Sequence, residues 1–333
     1  MDKSASEITF NALGVCNFCR QAQREIELVK GLNLASIVSE IKAAGKNKKY
    51  DVLIGLSGGA DSSYALHSLC QLGLRPLCFT IDNGWNDPKA DENIMRLVEG
   101  LKVPFYRYTI DVAKFRELQA AFMRAGLPNI EIPTDHILMA ATYEMAAKNG
   151  IKYVISGGNV ATESIMPASW GYTARDLVHI RDVYQKNIGK KLTGLPVCSL
   201  LKWNFYHWVK GIKITYLLDY LDYNRAEAVK FLSEKYGFQD YYEKHCESIF
   251  TWWFQSYYLF EKFSIDKRKA HLSSLVNSGQ MTRQEALNAL TASPVYPKIG
   301  LETKALQYPK HSHDEYAKDK YDTIARLVRL WKS

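Results

Sequence analysis

The stretch YDVLIGLSGGADSSYALHSL, residues 50–69, decides the fold. Residues 51–56 form a short apolar run that is typical of a buried strand. Gly58 and Gly59 follow, and two adjacent glycines let the backbone turn tightly and come close to a ligand. Residues 61–72 then predict a helix. The stretch therefore predicts a strand, a glycine-rich turn and a helix in direct succession.

The turn has the composition of a phosphate-binding loop. The first N–H groups of a helix lack partners within it, and with hydroxyl groups and the helix dipole they attract anions. Ser57, Gly58, Gly59, Asp61 and Ser62 are the predicted phosphate-binding residues, and Ser57 and Asp61 are also predicted to be catalytic. A carboxylate beside phosphates needs a cation, so Asp61 is predicted to hold Mg²⁺. The alternative is that Asp61 and Ser62 only cap the helix.

The alternation of strands and helices continues to about residue 155. It predicts β-α-β units and therefore a parallel sheet, with further strands at 75–81, 103–110 and 152–155. In such sheets ligands bind at the carboxyl ends of the strands. Asp82 follows the second predicted strand, and Gly157, Gly158 and Asn159 follow the fourth. These residues are predicted to share one nucleotide-binding crevice with the loop.

The predicted fold class is α/β, a Rossmann-like parallel sheet with helices on both faces and a mainly helical C-terminal region. Three regions are predicted: an N-terminal segment with Cys-x-x-Cys and a helix (1–48), an α/β domain that contains the phosphate-binding loop (49–195) and a mainly helical substrate or partner region (196–333). In the last region, helices are predicted at 225–236, 250–263 and 314–332. Thr282 and Glu285 form a capping box that opens another helix.

The composition is that of a globular protein, with 47% hydrophobic and 23% charged residues. The formal net charge of +8 suits anionic partners such as nucleotides, nucleotide-sugars or nucleic acid, but does not choose among them. The first 25 residues lack the pattern of a signal peptide. No apolar run approaches the roughly 20 residues that span a bilayer. The sequence therefore predicts a cytoplasmic protein without a membrane span.

Residues 50–69 resemble the signature of the PP-loop ATP pyrophosphatases, a strand followed by SGGxDS and a helix. Other stretches are similar to one group of that class, the N-acetyl sugar amidotransferase family. They are GVCNFC (14–19), LCFTIDNGW (77–85), ISGGN (155–159), HCESIFTWWFQSYYL (245–259) and FSIDKRKAHLSSLVNSGQMTRQEAL (263–287). The resemblance covers residues from about 10 to 290.

This resemblance implies an adenine-nucleotide α-hydrolase fold and a role in the synthesis of surface polysaccharides such as the O-antigen of lipopolysaccharide. It implies that ATP is split into AMP and pyrophosphate to adenylate the acetamido oxygen of a nucleotide-linked N-acetyl sugar. Ammonia from a separate glutaminase subunit then converts the group into an acetamidino group. Nucleic acid is not an expected partner.

Cys16 and Cys19 have the spacing of half a zinc site. Many members of the family carry a second Cys-x-x-Cys upstream, which this sequence lacks. Either other residues, such as His245 or Cys246, complete the site, or the metal has been lost.

Four further residues are candidates, each with a structural alternative. His136 is predicted to transfer a proton to or from ammonia. The structural alternative is that Asp135 and His136 only begin a helix, where the helix dipole favours Asp135. Glu163 follows the second Gly-Gly pair and is predicted to bind substrate, or else only to belong to a polar loop. Trp253 could stack on a sugar or uracil ring or belong to the core. Arg268 could bind a diphosphate or lie on a solvated face.

Two other functions remain open at this point. A PP-loop enzyme that modifies tRNA, either a thiolase or a lysidine-type ligase, would use the positive charge to bind RNA. Against it, the cysteines are not spaced for sulfur transfer. A non-catalytic nucleotide-binding scaffold is the other alternative, and the intact loop argues against it.

Overall fold

The computed structural model describes residues 1–241 and 244–319. Five parallel strands form one sheet in the order β3-β2-β1-β4-β5. The strands are β1 (Val52–Gly55), β2 (Pro76–Asp82), β3 (Phe105–Thr109), β4 (Tyr153–Ser156) and β5 (Lys213–Tyr216). The predicted fold class, a parallel α/β sheet with helices on both faces and a mainly helical C-terminal region, is confirmed.

Helices precede, connect and follow the strands. Those up to residue 188 are α1 (Asn17–Lys30), α2 (Leu34–Gly45), α3 (Ala60–Gln71), α4 (Pro88–Leu101), α5 (Val112–Arg124), α6 (Ile132–Lys148), α7 (Val160–Glu163) and α8 (Leu177–Ile188). The remaining ones are α9 (Leu200–Asn204), α10 (Arg225–Tyr236), α11 (Ile249–Trp253), α12 (Arg268–Asn277), α13 (Arg283–Ala289) and α14 (Glu302–Gln307). Two of them continue as π-helical turns, Phe205–Val209 and Phe254–Lys262.

The first four strands were predicted from the sequence, but the fifth was not. β5 is four residues long and follows a segment that is otherwise helical. It pairs only with β4, so it is an edge strand without the continuous apolar run of a buried strand. The sheet therefore extends beyond residue 195. The end of the domain at that residue, which the sequence predicts, stays a prediction.

The sheet has an apolar core on each face, because successive residues of a strand point to opposite sides. Leu53 and Val154 pack into one core, which also contains the aromatic residues of α11. Val52, Ile54 and Ile155 pack into the other, together with residues of α3, α4 and α10. Helices of the C-terminal region thus cover both faces of the sheet.

The predicted C-terminal elements are found where the structure describes them. α10 spans residues 225–236 as predicted, and Thr282 and Glu285 form the predicted capping box at the start of α13. The helix predicted at 314–332 lies mostly outside the described residues. Within residues 1–241 and 244–319, none of the helices has both the length and the apolar character needed to cross a membrane.

Asp51 anchors the start of the strand that leads into the glycine-rich loop. Its buried carboxylate accepts hydrogen bonds from the backbone N–H of Arg75 (2.8 Å) and from the guanidinium of Arg75 (2.6 and 3.0 Å). Arg75 also donates to the carbonyl oxygens of Lys48 and Gly45. The pair thereby fixes the starts of β1 and β2 together.

We expect Asp51→Asn to lower the free energy of unfolding by roughly 1–3 kcal/mol, because a buried charged hydrogen-bonded group loses its partner. Burial opposes ionisation of Asp51, but the bonds from Arg75 outweigh it and lower its pKa below 3.8. The contribution is therefore present above about pH 4 and lost as the pH falls through the folded-state pKa. Urea unfolding at pH 7 measures it; a variant as stable as the wild type would contradict the anchoring role.

Candidate active site

A cavity of about 1250 Å³ opens at the carboxyl ends of the central strands. The glycine-rich loop after β1 and the second Gly-Gly pair after β4 both line it. The predicted residues that the structure brings to this cavity are Ser57, Gly59, Asp61, Ser62, Gly157, Gly158 and Glu163. The shared crevice predicted from the sequence is thus present in the structure.

Gly58 gives the loop its shape. Its φ is +82°, in the left-handed region that favours glycine, and a Cβ atom there would lie 2.5 Å from the carbonyl oxygen of Ala90. The Ser57 hydroxyl accepts a hydrogen bond from the N–H of Gly59 (3.2 Å) and lies 3.3 Å from the Ser62 hydroxyl. Gly58 therefore shapes the loop from behind, while the two hydroxyl groups beside it line the cavity.

The second Gly-Gly pair lies directly against the first loop. A Cβ atom at Gly157 would come within 2.9 Å of the backbone nitrogen of Ser62. One at Gly158 would lie 3.2 Å from a carboxylate oxygen of Glu163. Gly157 therefore allows the end of β4 to approach the start of α3 closely, and Gly158 allows Glu163 to approach the same loop.

The start of α3 is not capped by a side chain from the part of the chain that the structure describes. Gly59 is the residue at the cap position, and no described side chain bonds to the first N–H groups of this helix. The alternative that Asp61 and Ser62 serve as caps is therefore wrong for Asp61, whose carboxylate bonds elsewhere. Uncapped N–H groups at a helix start leave it suited to bind an anion.

Lys244 supplies a cation beside the loop. Its ammonium group lies 2.7 Å from Asp61 Oδ2 and 2.9 Å from Glu163 Oε1, and it donates to the Thr162 hydroxyl at 2.6 Å. The side chains of Lys244 and Asp61 are only 14% and 15% exposed. Tyr223 donates a second hydrogen bond to Asp61.

These contacts determine the charge of the group. Burial opposes ionisation of Asp61, but Lys244 and Tyr223 outweigh it and lower the pKa of the carboxyl. Burial likewise opposes the charge of Lys244, and Asp61 and Glu163 outweigh it and raise the pKa of the amine. Asp61 and Lys244 are therefore both charged at neutral pH.

The sequence did not single out Lys244 or Tyr223. Both lie more than 160 residues after the loop, in the region predicted as mainly helical. Only the position of Lys244, next to the quoted motif that begins at His245, could have drawn attention to it.

Asp82 and Asn159 stand beside the cavity with other partners. Asp82 accepts a hydrogen bond from the N–H of Gly84, and its carboxylate lies 3.9 Å from Arg107. The next residue, Asn83, lines the cavity instead. Asn159 is buried and caps α7 by accepting from the N–H of Thr162 at 2.9 Å. Both residues shape loops at the cavity, and their binding of nucleotide stays a prediction.

The structure does not bring His136 to the cavity. The side chain is 1% exposed. Nδ1 donates to the carbonyl oxygen of Ala174 (2.6 Å), and Nε2 accepts from the N–H of Cys198 (3.1 Å). Since both ring nitrogens bond to backbone groups, the contacts do not support the predicted proton transfer. Burial lowers the pKa of the ring, which fits this neutral state.

Trp253 and Arg268 are also placed away from the large cavity. Trp253 is 0% exposed and stacks on Tyr257 within the core, so the structural alternative holds for it. The guanidinium of Arg268 pairs with Asp266 at 2.8 Å and donates to the carbonyl oxygen of Ala292. Arg268 lines a smaller cavity of about 370 Å³.

Cys16 and Cys19 lie at the start of α1. The Cys16 sulfur accepts a hydrogen bond from the N–H of Cys19, and the Cys19 sulfur accepts one from the Asn277 amide, each at 3.4 Å. Across residues 1–241 and 244–319, no three side chains of the His, Cys, Asp or Glu type are grouped to hold a metal ion. The predicted zinc site is therefore not supported, and neither His245 nor Cys246 completes it.

A second group of ionisable side chains lines the same cavity and was not predicted. Glu131 and Asp135 come from the start of α6, and Lys267 and His271 from the start of α12. The Glu131 carboxylate is almost fully buried and accepts a hydrogen bond from the Thr251 hydroxyl at 3.1 Å. The sequence contained Glu131 and Asp135 four residues apart, which is the spacing of one helix face.

Residues 247–325 match the family model for the LPS biosynthesis protein WbpG-like, C-terminal domain. This match covers less than a quarter of the chain and agrees with the stretches quoted for 245–287. No curated protein sequence matches the chain significantly.

Several solved structures resemble the chain at low identity. NH3-dependent NAD synthetase from Campylobacter jejuni is 19% identical, with 42% of this chain and 64% of that chain covered and a TM-score of 0.30. NMN synthetase from Francisella tularensis is 14% identical, with 61% of this chain and 94% of that chain covered and a TM-score of 0.32. The U34-tRNA thiolase NcsA from Methanococcus maripaludis is 13% identical, with 88% of this chain and 89% of that chain covered and a TM-score of 0.37. The chain thus spans less than two thirds of the length of the NAD synthetase. TM-scores this low carry no conclusion about activity.

We expect His136→Ala to lower the free energy of unfolding at pH 7 by roughly 2–4 kcal/mol, because two buried backbone groups lose their partner. The folded-state pKa of His136 lies below 6.5, so the unfolded chain binds more protons as the pH falls below that value. Wild-type stability therefore decreases below pH 6.5, and the variant should show a flatter decrease. Urea unfolding from pH 7.5 to 5 measures both; equal slopes would contradict the assignment.

Proposed function

We propose that the protein is an ATP-dependent amidotransferase that converts an acetamido group of a nucleotide-linked sugar into an acetamidino group in the cytoplasm. The observation that carries the proposal is the uncapped, glycine-rich start of α3, with Lys244 and two carboxylates beside it in one large cavity. The C-terminal match to LPS biosynthesis proteins supports a sugar substrate.

The loop is suited to bind the triphosphate of ATP. The N–H groups at the start of α3 and the hydroxyl groups of Ser57 and Ser62 would face the phosphates. Gly157, which lies against the backbone of Ser62, lets the second Gly-Gly pair form another wall of this site. The ammonium group of Lys244 stands beside the loop, between Asp61 and Glu163. From there it would neutralise part of the phosphate charge.

Asp61 and Glu163 fit a Mg²⁺ ion that arrives with ATP. Mg²⁺ is commonly held by one or two protein carboxylates together with substrate phosphates and water. Both carboxylates lie at the loop beside Lys244, and carboxylate oxygens are the donors that Mg²⁺ prefers. When bound, Mg²⁺ would spread the negative charge that develops on the leaving pyrophosphate.

The cavity has space for two substrates. Small-molecule sites commonly measure about 300–1,000 Å³, and this one measures about 1250 Å³. Its walls include Tyr216, Arg175 and Trp170 on the side beyond the second Gly-Gly pair. A nucleotide-linked sugar could therefore bind beside ATP with its acetamido group toward the α-phosphate.

The chemistry follows from activating a poor electrophile. The amide oxygen attacks the α-phosphorus of ATP, pyrophosphate leaves, and the amide nitrogen loses its proton, which gives an O-adenylyl imidate. The lone pair of ammonia then bonds to the imidate carbon, and the C–O bond breaks to release AMP. The protein would contribute positioning, charge neutralisation and the exclusion of water. A separate glutaminase subunit would supply the ammonia.

Sulfur transfer to tRNA is less well supported by the cysteines. Nucleophilic sulfur chemistry needs a thiolate. Burial instead raises the pKa of the thiols of Cys70, Cys78 and Cys198, in the last case to about 11. These thiols therefore stay protonated at neutral pH.

The proposal predicts pyrophosphate release that depends on an acetamido sugar. ATP, Mg²⁺ and ammonium chloride are supplied with UDP- or CMP-linked acetamido sugars, beside Asp61→Ala. We expect one sugar to give pyrophosphate, AMP and a product in which NH replaces O by mass spectrometry, and the variant to lose at least about 100-fold in rate. Release with tRNA alone would move the protein to the RNA-modifying alternative. ATP binding without pyrophosphate release from any of these substrates would favour the scaffold.

Lys244→Met should weaken ATP binding at least about tenfold, because a charge-assisted hydrogen bond is lost and two unpaired carboxylates then repel the phosphates. Adding Asp61→Asn to this variant should restore part of the affinity, since one repelling charge is removed. Isothermal titration calorimetry measures both, with the exposed Lys230→Met on α10 as the matched control. An unchanged dissociation constant for Lys244→Met would exclude contact between Lys244 and the nucleotide.

A further inference from the structure

The second ionisable group in the cavity contains buried polar atoms that lack a well-formed hydrogen bond. Glu131 is 7% exposed, and its Oε2 accepts from Thr251. Glu131 Oε1 and the Thr134 hydroxyl are fully buried and make no hydrogen bond of good geometry among the described residues, although Thr134 is close enough to Glu131 to favour its charged form. A buried carboxylate oxygen without a donor is costly. A ligand that donates hydrogen bonds would relieve this cost.

The charges of the group are also unbalanced. Glu131 and Asp135 are two carboxyl groups, and among the described residues Lys267 is the amine whose charge acts on both. Its ammonium donates to the Met166 sulfur at 3.0 Å. Burial and the charge of Asp135 raise the pKa of Glu131 to about 8, and burial raises that of Asp135 to about 6. Burial lowers the pKa of Lys267 to about 8. A bound monovalent cation would favour the charged form of both carboxyl groups.

Two histidines separate this group from the phosphate loop. His271 and His245 pack with ring centroids 5.3 Å apart, and His245 Nε2 lies 3.5 Å from Glu163. Burial lowers the pKa of both rings, so they add no positive charge at neutral pH. The carboxyl groups at α6 and the Lys244 ion pairs therefore face the same cavity from either side of a neutral pair.

We propose that Glu131, Thr134 and Asp135 form the binding site for the ammonium ion that is consumed in the reaction. This inference rests on the proposed function. Ammonium has four N–H donors and one positive charge, and the site offers buried oxygens and two carboxyl groups whose charged forms a cation would favour. Potassium would supply the charge but not the donors, and a sugar hydroxyl would donate but would not favour the charged form of both carboxyl groups.

The site also accounts for the proton that ammonium must lose. Glu131 accepts one proton from the ion, and the lone pair that this frees forms the bond to the imidate carbon. The C–O bonding electrons leave with AMP, and the product is the amidinium cation. Glu131 then returns its proton to solvent. A carboxyl group whose pKa is close to neutral pH is suited to both transfers.

The test separates adenylation from the use of ammonium. Exchange of labelled pyrophosphate into ATP, with the acetamido sugar but without ammonium, reports adenylation alone. The amidine formed at increasing ammonium chloride reports the second step. Glu131→Gln and Asp135→Asn are compared with Glu144→Gln, which changes an exposed carboxylate on the same helix, and thermal unfolding checks that each variant is folded.

We expect the KM for ammonium to rise about 10- to 100-fold in Glu131→Gln and Asp135→Asn, the effect of losing one charge-assisted hydrogen bond. The rate of pyrophosphate exchange should stay within about threefold of the wild-type rate. A loss of one charge-assisted hydrogen bond in adenylation would lower that rate by more than this factor. An unchanged KM for ammonium, or a folded Glu131→Gln variant that loses exchange, would overturn the ammonium site and leave the proposed function standing. Wild-type protein without sugar-dependent exchange would overturn both.

Discussion

The arrangement of the cavity depends on the contacts that the ammonium group of Lys244 makes. It connects three separate parts of the chain: Asp61 at the start of α3, Thr162 and Glu163 on α7, and its own segment before α11. Two carboxylates and a lysine lose hydration when they are buried together, and only their close pairing offsets that cost. Because no other described lysine or arginine pairs with Asp61 or Glu163, this contact holds the C-terminal segment against the loop.

The sequence predicted the parts of the site that are encoded locally. The loop after β1 follows from one strand, two glycines and one helix within twenty residues, and the Gly-Gly pair after β4 repeats part of that pattern. The rule that parallel strands place their carboxyl ends at one edge was enough to bring both loops together. The structure adds that Gly157 lies against the backbone of Ser62, a contact that needs a residue without a side chain.

The parts that the sequence could not supply depend on contacts between distant segments. Tyr223 and Asp61 are 162 residues apart, and Thr251 and Glu131 are 120 apart. Nothing in the local pattern of either residue indicates its partner. His136 and Trp253 show the opposite case, because residue types that are common in active sites are here buried against backbone or aromatic groups. Burial of a single residue inside a helical pattern cannot be distinguished from exposure to a cavity without the tertiary fold.

The two groups differ in what they offer to a triphosphate. If Asp61 and Glu163 hold Mg²⁺ as proposed, that ion, Lys244 and the start of α3 attract the phosphates, whereas the carboxyl groups of Glu131 and Asp135 do not, so ATP is favoured in one orientation. A small cation experiences the reverse preference. If both sites act as proposed, the amide carbon that reacts lies between them, with its adenylated oxygen toward Lys244 and its attacked face toward Glu131. The neutral pair of His245 and His271 then has a physical role, since a charged ring at this position would weaken the electrostatic difference that keeps the nucleotide and the ammonium apart.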